Sequence, residues 1–279
     1  MSQNLRKGKV STAGPRVSVV IPSYNSQGTI VRALRSVVAQ TLRPTEVIVV
    51  DDGSADDSVS VVKQFSRWFE SESFKLVELG SNYGPGYARN VGWDRASGDF
   101  IAFLDADDAW HRCKLQIQAT YMLKHNELAL TGHRCLCLSQ QATPPALAEN
   151  WQVKPILARQ LMLSYQVLTP SVIVKRQIPH RFNPTKRYSE DRLLWLQIVL
   201  DGHKAARLEL PLAYLYKAPY GEGGLSSQLW KMEKGELDVY TELRRTGCLN
   251  RVEETVLKAF SLSKYLRRVF LPWRTSHVA

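Results

Sequence analysis

Short apolar segments alternate with helical patterns along the first half of the chain. Four segments are short, largely apolar and rich in β-branched or aromatic residues, as buried strands are: 17–21, 47–50, 74–77 and 100–104. Between them, apolar residues recur every three or four positions at 30–38 and 56–69, and a glycine-rich turn at 84–86 opens a third helical pattern ending near Ala96. This alternation predicts an α/β fold in which helices cover both faces of a parallel sheet.

The second half of the chain is less regular. Residues 169–174 and 206–216 have the composition of strands. Residues 190–200 are predicted to form a helix whose apolar residues cover much of its circumference, and 229–243 and 252–270 carry apolar residues at helical spacing. The sequence contains no internal repeat and no clear linker. We therefore expect one large domain followed by helices.

The net charge of the chain says more about its binding partners than its overall composition does. The 279 residues are 44% hydrophobic and 23% charged, which is ordinary for a soluble protein, but the formal net charge of +11 favours anionic partners. These partners include nucleic acid, phosphorylated metabolites and anionic membranes. No apolar stretch approaches the roughly 18 residues of a membrane span, and the polar N-terminus does not look like a signal peptide. We expect a cytoplasmic protein.

The cysteines do not indicate a metal site. They lack C-x-x-C spacing, and we expect core thiols in a reducing compartment: Cys113, Cys135, Cys137 and Cys248.

The most informative motif is Asp105-Ala106-Asp107-Asp108, directly after the predicted strand 100–104. Carboxylates crowded into one turn repel one another, and a cation relieves that repulsion. Carboxylate oxygens suit Mg²⁺ or Mn²⁺, which usually complete their coordination with water and substrate phosphate. The motif thus predicts a metal site for a phosphorylated substrate. Alternatively, the acids only cap a helix predicted at 110–124.

Two more polar clusters follow predicted strands. Residues 22–25 follow the first strand and residues 51–54 the second, and parallel sheets bind ligands at the carboxyl ends of their strands. Tyr24 is placed to flank a nucleotide base, and Asp52 to accept a hydrogen bond from the base edge. Alternatively, Asp51 holds the turn, or both aspartates only cap the next helix.

The order of these motifs resembles that of the family-2 inverting glycosyltransferases. The resemblance covers about residues 17–227 and rests on these segments: Val-Ile-Pro-Ser-Tyr-Asn at 20–25, Val-Val-Asp-Asp-Gly-Ser at 49–54, residues 82–90, residues 97–108 and Ser-Glu-Asp at 189–191. It implies the GT-A fold, a Rossmann-like α/β/α sandwich with a mostly parallel sheet and a C-terminal helical extension.

The resemblance also implies a division of the chain. A disordered basic arm, 1–15, precedes a glycosyltransferase domain at 16–227, and a helical extension occupies 228–279. Within the domain, 16–125 would bind the nucleotide and 126–227 the acceptor.

Site residues follow from the same resemblance. The nucleotide-sugar would contact seven residues: Pro22, Tyr24, Asp52, Arg89, Asn90, Asp105 and Lys217. Asp107, with Asp105, would hold Mn²⁺ or Mg²⁺. Arg89 is alternatively a structural partner of the nearby aspartates. Asp191 would be the general base, and Glu190 would orient the acceptor. A loop at 223–226 would close over the diphosphate.

The implied reaction is transfer of a single sugar from a nucleotide-diphosphate sugar to an acceptor hydroxyl, because the Gln-x-x-Arg-Trp signature of processive members is absent. A UDP-sugar is the favoured donor. The expected acceptor is a saccharide, in one version lipid-linked, in bacterial cell-surface polysaccharide or lipopolysaccharide biosynthesis.

The C-terminal helix suggests where the enzyme works. Basic and aromatic residues interleave in 251–279, which indicates either an anchor on the anionic cytoplasmic face of the inner membrane or a helix packed on the core.

Two rival functions differ from glycosyl transfer. One is another metal-dependent nucleotide-sugar or phosphate-transfer enzyme, and the other is a non-enzymatic, basic nucleic-acid-binding protein. Acids, and not lysine or arginine, gather at the predicted strand ends, so we expect no nucleic-acid partner.

Overall fold

The computed structural model describes residues 14–139, 142, 145–217 and 228–270. The strands of these residues join one sheet, with these bounds: β1 Val17–Ser23, β2 Glu46–Asp51, β3 Phe74–Glu78, β4 Phe100–Phe103, β5 Asp108–Trp110, β6 Leu128–Cys137, β7 Val153–Pro155, β8 Ile173–Lys175 and β9 Lys204–Leu215. The helices have these bounds: α1 Ile30–Val38, α2 Ser58–Phe65, α3 Pro85–Asp94, α4 Lys114–Lys124, α5 Ala158–Leu163, α6 Glu190–Leu200, α7 Leu229–Arg245 and α8 Arg251–Phe270. The α/β expectation is confirmed.

The first four strands form the parallel part of the sheet, in the order β3-β2-β1-β4. Each is connected to the next by a segment that contains a helix, as parallel strands require. Every residue of β2 is buried, because helices cover both faces of a parallel sheet. Their carboxyl ends lie along one edge, where the predicted polar clusters follow.

Beyond β4 the sheet becomes mixed. Strand β8 runs antiparallel to both β4 and β6, β9 runs parallel to β6, and β5 and β7 pair antiparallel with β9. The parallel arrangement therefore holds only where the sequence alternates strand and helix. The segment predicted as a strand at 169–174 starts instead as a 3₁₀ turn, Thr169–Ser171, because Pro170 has no N–H to donate to a neighbouring strand.

The helix predicted at 110–124 begins later than expected. Residues Asp108–Trp110 form strand β5, and α4 starts only at Lys114, with Cys113 as the residue before it. Asp108 therefore does not cap that helix. The expectation of core thiols is wrong for Cys137 and Cys248, which are exposed, and Cys113 and Cys135 are only half-buried; all four are free thiols.

Two hydrophobic cores lie on opposite faces of the sheet. Successive residues of β1 and β2 alternate between them: Val20 and Ile48 pack with α3, α6 and α7, whereas Val19 and Val47 pack with α1, α2 and α4. This alternation is the period of two of an extended chain. It produces the three-layer α/β/α arrangement that the alternating pattern predicted.

The sheet is continuous through both predicted halves of the domain. The expected boundary near residue 125 falls between α4 and β6. Helices α7 and α8 follow each other in sequence and are joined by a short turn, in which Gly247 has a positive φ. Among the helices of the described residues, none combines the length and apolarity that a membrane crossing requires. The predicted arm lies outside the described residues except for 14 and 15.

Candidate active site

Two adjoining clefts open at the carboxyl ends of the parallel strands. The first has a volume of about 430 Å³ and the second about 330 Å³. Six of the seven residues predicted to contact the nucleotide-sugar line the first cleft: Pro22, Tyr24, Asp52, Arg89, Asp105 and Lys217. Asp191 lines the second cleft, and the two clefts share Asp105, Asp107 and Glu190. The folded chain thus brings together residues from both predicted halves of the domain.

The turn after β2 holds its two aspartates in different ways. Ser54 donates from its backbone N and its Oγ to the Asp51 carboxylate, at 2.9 and 2.5 Å. Asp51 therefore holds the turn. Gly53 has φ +74°, and a Cβ there would lie 2.6 Å from the carbonyl carbon of Ser81, so only glycine allows the turn to approach the next loop.

Asp52 accepts hydrogen bonds from the loop before α3. The backbone N–H groups of Tyr83 and Gly84 donate to its two carboxylate oxygens, each at 2.8 Å. Asp52 does not cap α2, the helix that follows it in sequence. Burial raises its pKa, although the two amide hydrogen bonds act in the opposite direction. Asp52 and Tyr24 both line the first cleft.

Arg89 connects the acids of the two predicted halves. Its Nη2 lies 2.7 Å from Asp105 Oδ1, and its Nη1 lies 2.9 Å from Glu190 Oε1. Arg89 is 5% exposed, so this arginine is a structural partner of the acids as well as part of both cleft walls. Burial raises the pKa of Glu190 to about 7 despite Arg89, and the charge of Asp191 adds to the effect.

Asp107 is held by two cations. Arg32 of α1 donates from Nη2 to the Asp107 carbonyl oxygen at 2.6 Å, and Lys217 Nζ lies 2.8 Å from Asp107 Oδ2. Arg32 also lies over the Tyr216 ring, 3.9 Å from its centroid. These contacts attach the acidic motif to the end of β9. Neighbouring Asp108 is buried, and burial with the charges of Asp105 and Asp107 raises its pKa well above the usual value.

The acids present suit a magnesium-type cation better than zinc. Within the described ranges, no group of three or more His, Cys, Asp and Glu side chains is arranged to hold a metal. Asp105 and Asp107 both line the clefts and offer oxygen ligands only. Such a pair fits Mg²⁺ or Mn²⁺, whose remaining positions are filled by water and phosphate oxygens.

Asp191 is fixed at the start of α6. Thr169 Oγ1 donates to its Oδ2 at 2.9 Å, and the Arg192 backbone N–H donates to its Oδ1 at 2.7 Å. Ser189, just before the helix, has a left-handed φ of +56°, which turns the chain so that the two acids enter the clefts. Each Asp191 oxygen retains acceptor capacity.

Asn90 is the predicted residue that the structure places elsewhere. Its side-chain amide donates to the Phe182 carbonyl at 2.7 Å and accepts from the Phe182 N–H at 3.0 Å. It lines neither cleft as the described residues form them. Because both ends of its amide are used, Asn90 ties α3 to the segment before α6, and direct contact with a nucleotide-sugar is not supported.

Sequence reasoning missed several residues of the clefts. Arg187 lines both clefts and donates to Asn82 Oδ1 at 2.8 Å, while Tyr165 and Tyr188 line the second cleft. Arg187 and Tyr188 directly precede the Ser-Glu-Asp motif at 189–191, and this position in the sequence could have indicated them as site residues. Tyr165 belongs to no recognisable motif, and only the fold brings it to the second cleft. The predicted loop at 223–226 lies outside the described residues.

Known proteins match both the sequence and the fold. The sequence model described as "Glycosyl transferase family 2" matches residues 18–168. The Bacillus subtilis putative teichuronic acid biosynthesis glycosyltransferase TuaG is 30% identical over 83% of this chain and 89% of its own length. The Escherichia coli UDP-Glc:alpha-D-GlcNAc-diphosphoundecaprenol beta-1,3-glucosyltransferase WfgD is 29% identical over 90% of this chain and 92% of its own length.

A solved structure of S. aureus TarS 1-349 in complex with UDP-GlcNAc has a TM-score of 0.66 and 23% identity. The match covers 94% of this chain and 74% of that one.

Fold and site define a nucleotide-sugar-dependent glycosyltransferase with the GT-A fold. The chain belongs to glycosyl transferase family 2. The expected family, fold and enzyme class are confirmed. The rival assignments to another phosphate-transfer class or to a nucleic-acid-binding protein do not account for these matches.

Proposed function

We propose that this enzyme transfers one sugar, with inversion, from a UDP-sugar to a hydroxyl group of a saccharide acceptor. The acceptor is lipid-linked, and the pathway builds a bacterial cell-surface polysaccharide. One observation carries the proposal: the first cleft, with Tyr24 and Asp52, opens into the second cleft, with Asp191, at the shared acids Asp105 and Asp107. A donor and an acceptor would meet there.

The first cleft is suited to the nucleotide. Tyr24 is half exposed and free to stack on a base. Asp52 uses two acceptor positions for the backbone of the next loop, but a carboxylate offers about four, so it retains capacity for the N–H of a uracil. The UDP complex of TarS and the UDP-Glc donor named for the E. coli relative support this choice of nucleotide.

The diphosphate end of the donor would lie among cations. Asp107, with Asp105, would hold Mn²⁺ or Mg²⁺, and the metal would neutralise charge on the departing diphosphate. Lys217 and Arg187 border the same space. Lys217 would provide a point charge to the phosphates, whereas Arg187 can offer two parallel donors.

Asp191 would act as the general base. Inversion requires a proton acceptor on the face of the donor sugar opposite the leaving group. Thr169 and the Arg192 N–H orient the Asp191 carboxylate towards the second cleft. Glu190 is paired with Arg89, and its proposed part is to orient the acceptor and hold Arg89 in place.

We also propose that α8 rests on the anionic cytoplasmic face of the inner membrane. It is held to α7 by a hydrogen bond from Ser261 to Glu233 at 2.8 Å. Apolar side chains of α8 nevertheless remain exposed: Val252, Val256, Phe260, Leu266, Val269 and Phe270. Basic residues accompany them along the helix: Lys258, Lys264, Arg267 and Arg268. Such a surface binds anionic lipid by burial and by charge. The lipid acceptors named for the E. coli and Campylobacter jejuni relatives support a site at a membrane.

Donor and product assays test the proposed reaction. Purified enzyme with Mn²⁺ or Mg²⁺ is given UDP-, GDP- and dTDP-sugars and a GlcNAc-diphosphate carrying a short lipid, and the anomeric configuration of any product is read by NMR. We expect a UDP-sugar to be used with inversion. A product with retained configuration, or tight binding of GDP-sugars alone, would contradict the proposal. Asp57→Asn, on an exposed aspartate that lines neither of the two clefts formed by the described residues, is the control for carboxylate substitutions.

A further inference from the structure

The second cleft has aromatic walls beside its acids. Tyr165 and Tyr188 line it together with the apolar residues Leu168 and Met232. Its volume of about 330 Å³ falls at the lower end of the range of small-molecule sites. A sugar ring presents C–H groups on its faces and hydroxyl groups at its edge, so a site with aromatic faces and charged acceptors matches it. Met232 belongs to α7, so the C-terminal extension contributes to this wall.

A buried arginine supports one of these rings. The Arg192 guanidinium lies 4.9 Å from the centroid of the Tyr165 ring. Arg192 is 1% exposed and does not line the cleft formed by the described residues, so it contacts the ring from the protein side. It also donates to the carbonyl oxygens of Leu161 and Met162, at 3.1 and 2.6 Å. These bonds fix the guanidinium, and a fixed cation over a ring restrains the ring.

The charge that balances Arg192 comes from the C-terminal extension. Glu236 of α7 lies 2.5 Å from Arg192 Nη1 and 3.3 Å from Lys264 Nζ of α8. Burial alone would raise the pKa of Glu236, but Arg192 and Lys264 lower it, so Glu236 is charged at neutral pH. A buried arginine needs such a partner, because an unpaired buried charge is strongly unfavourable. Helices α7 and α8 are thereby connected to α6, which carries Asp191.

We propose that Tyr165 is the platform on which the acceptor sugar stacks, and that Arg192, neutralised by Glu236, is the positioning residue that holds this platform. The acceptor site therefore includes the C-terminal helical extension. This inference deepens the proposed function and rests on it, since it assigns the second cleft to the acceptor.

Saccharide binding tests the platform without requiring the natural acceptor. Saturation-transfer NMR with UDP and Mg²⁺ present is used to titrate a panel of methyl hexosides and methyl N-acetylhexosaminides, while calorimetry measures UDP affinity. We expect wild type to bind at least one glycoside. Tyr165→Leu should bind it about tenfold more weakly, from the lost stacking and burial, with unchanged UDP affinity. Tyr165→Phe, which keeps the ring, should bind as wild type does.

The control removes a ring from another place. Tyr121, which stacks on His125 at 4.2 Å between centroids, lines neither of the two clefts formed by the described residues, so Tyr121→Leu should leave glycoside binding intact. If wild type with bound UDP binds no glycoside of the panel, or if Tyr165→Leu binds as wild type does, the platform is refuted. Failure of wild type to bind UDP would instead refute the proposed function.

A pair of substitutions separates positioning from stability. Arg192→Met leaves Glu236 without its main partner and should lower Tm, whereas Arg192→Met with Glu236→Met removes both buried charges and should restore Tm largely. Glycoside affinity should stay reduced in the double variant, because the Tyr165 ring still lacks its guanidinium. Recovery of affinity together with Tm would show that Arg192 only stabilises the fold.

Arg192→Lys provides a second measurement that does not depend on the double variant. It keeps a positive charge near Glu236 but loses the planar group against the ring. We expect weaker glycoside binding at unchanged UDP affinity. Wild-type glycoside affinity in Arg192→Lys would contradict the positioning role.

Discussion

Lys217 Nζ lies 2.8 Å from Asp107 Oδ2, so a lysine two residues beyond the end of β9 neutralises the acid that we assign to the metal. The two residues come from the two predicted halves of the domain. Arg32 strengthens this connection, because it contacts both the Asp107 carbonyl and the neighbouring Tyr216 ring. A metal ion and Lys217 would therefore compete for one carboxylate.

This competition predicts opposite effects of one substitution. Lys217→Ala should raise the affinity of the free enzyme for Mn²⁺, because Asp107 loses its competing partner. The same change should lower kcat, because the departing diphosphate loses a positive charge. Mn²⁺ binding is followed by electron paramagnetic resonance, and kcat by UDP release. Reduced Mn²⁺ affinity in Lys217→Ala would show that the lysine helps to organise the metal site.

Asp191→Asn should separate binding from chemistry. The amide keeps the shape of the side chain: its oxygen can accept from the Arg192 N–H, and its NH2 can donate to Thr169 Oγ1, which then accepts. The amide is no longer a base. We expect donor binding to survive and the transfer rate to fall about 10²–10⁴-fold, the usual value of general-base catalysis. Product formation and donor calorimetry give the two quantities. Near-normal transfer by the variant would assign the base elsewhere, and Asp57→Asn is the matched control.

Asp52→Ala should weaken nucleotide binding. The substitution removes an acceptor in the first cleft and also leaves the N–H groups of Tyr83 and Gly84 without partners. We expect a loss of UDP affinity of about 1–3 kcal/mol, measured by calorimetry. The Tm of the same variant measures how far the fold is destabilised when these two N–H groups lose their acceptor. A lower Tm with unchanged UDP affinity would limit Asp52 to a structural role.

Glu46, which lies outside both clefts formed by the described residues, should make the free energy of unfolding depend on pH. Its side chain is 3% exposed and lies 2.5 Å from Lys75 Nζ. Burial alone would raise the pKa of Glu46, but Lys75 and hydrogen bonds from Ser97 and Ser18 outweigh it and lower the pKa to about 2. The lowered pKa adds stability above the unfolded value of 4.5, and this stability is lost as pH falls towards 2.

Glu46→Gln should therefore destabilise the protein at pH 7 and progressively less in acid. The pKa shift corresponds to about 3 kcal/mol in the free energy of unfolding. Urea unfolding of both proteins between pH 7 and pH 3 measures the difference. A difference that stays constant over this range would contradict the assigned cause, because the lost stability would then not depend on ionisation.

Vesicle binding tests the surface of α8. Leu266→Ser with Phe270→Ser removes two exposed apolar groups and should reduce sedimentation with vesicles containing phosphatidylglycerol. Wild-type binding should also weaken as salt rises, because part of the attraction is electrostatic. Trp68→Ser, on an exposed tryptophan outside the C-terminal helices, is the control. If the wild-type protein does not sediment with these vesicles at low salt, α8 has only a structural role.

The sequence by itself determined the local elements and the family. The continuous apolar runs of β1, β2 and α6 mark elements that are buried on more than one side. The spacing of apolar residues in α1 marks its single buried face, and information of both kinds is local. The motifs after the strands could be assigned to one edge of the sheet because parallel strands end together. Helix α6, predicted at 190–200, has those bounds in the structure.

Only the tertiary structure decided which distant residues meet. Arg89 contacts Glu190 across 101 positions and Asn90 contacts Phe182 across 92, and no periodicity records such a pairing. The antiparallel entry of β8 between β4 and β6 likewise depends on where a long connection returns to the sheet. Tyr165 reaches the second cleft, and Arg192 lies behind its ring, for the same reason. Their positions follow from how whole helices pack, and packing depends on the complete set of surfaces and not on neighbours in sequence.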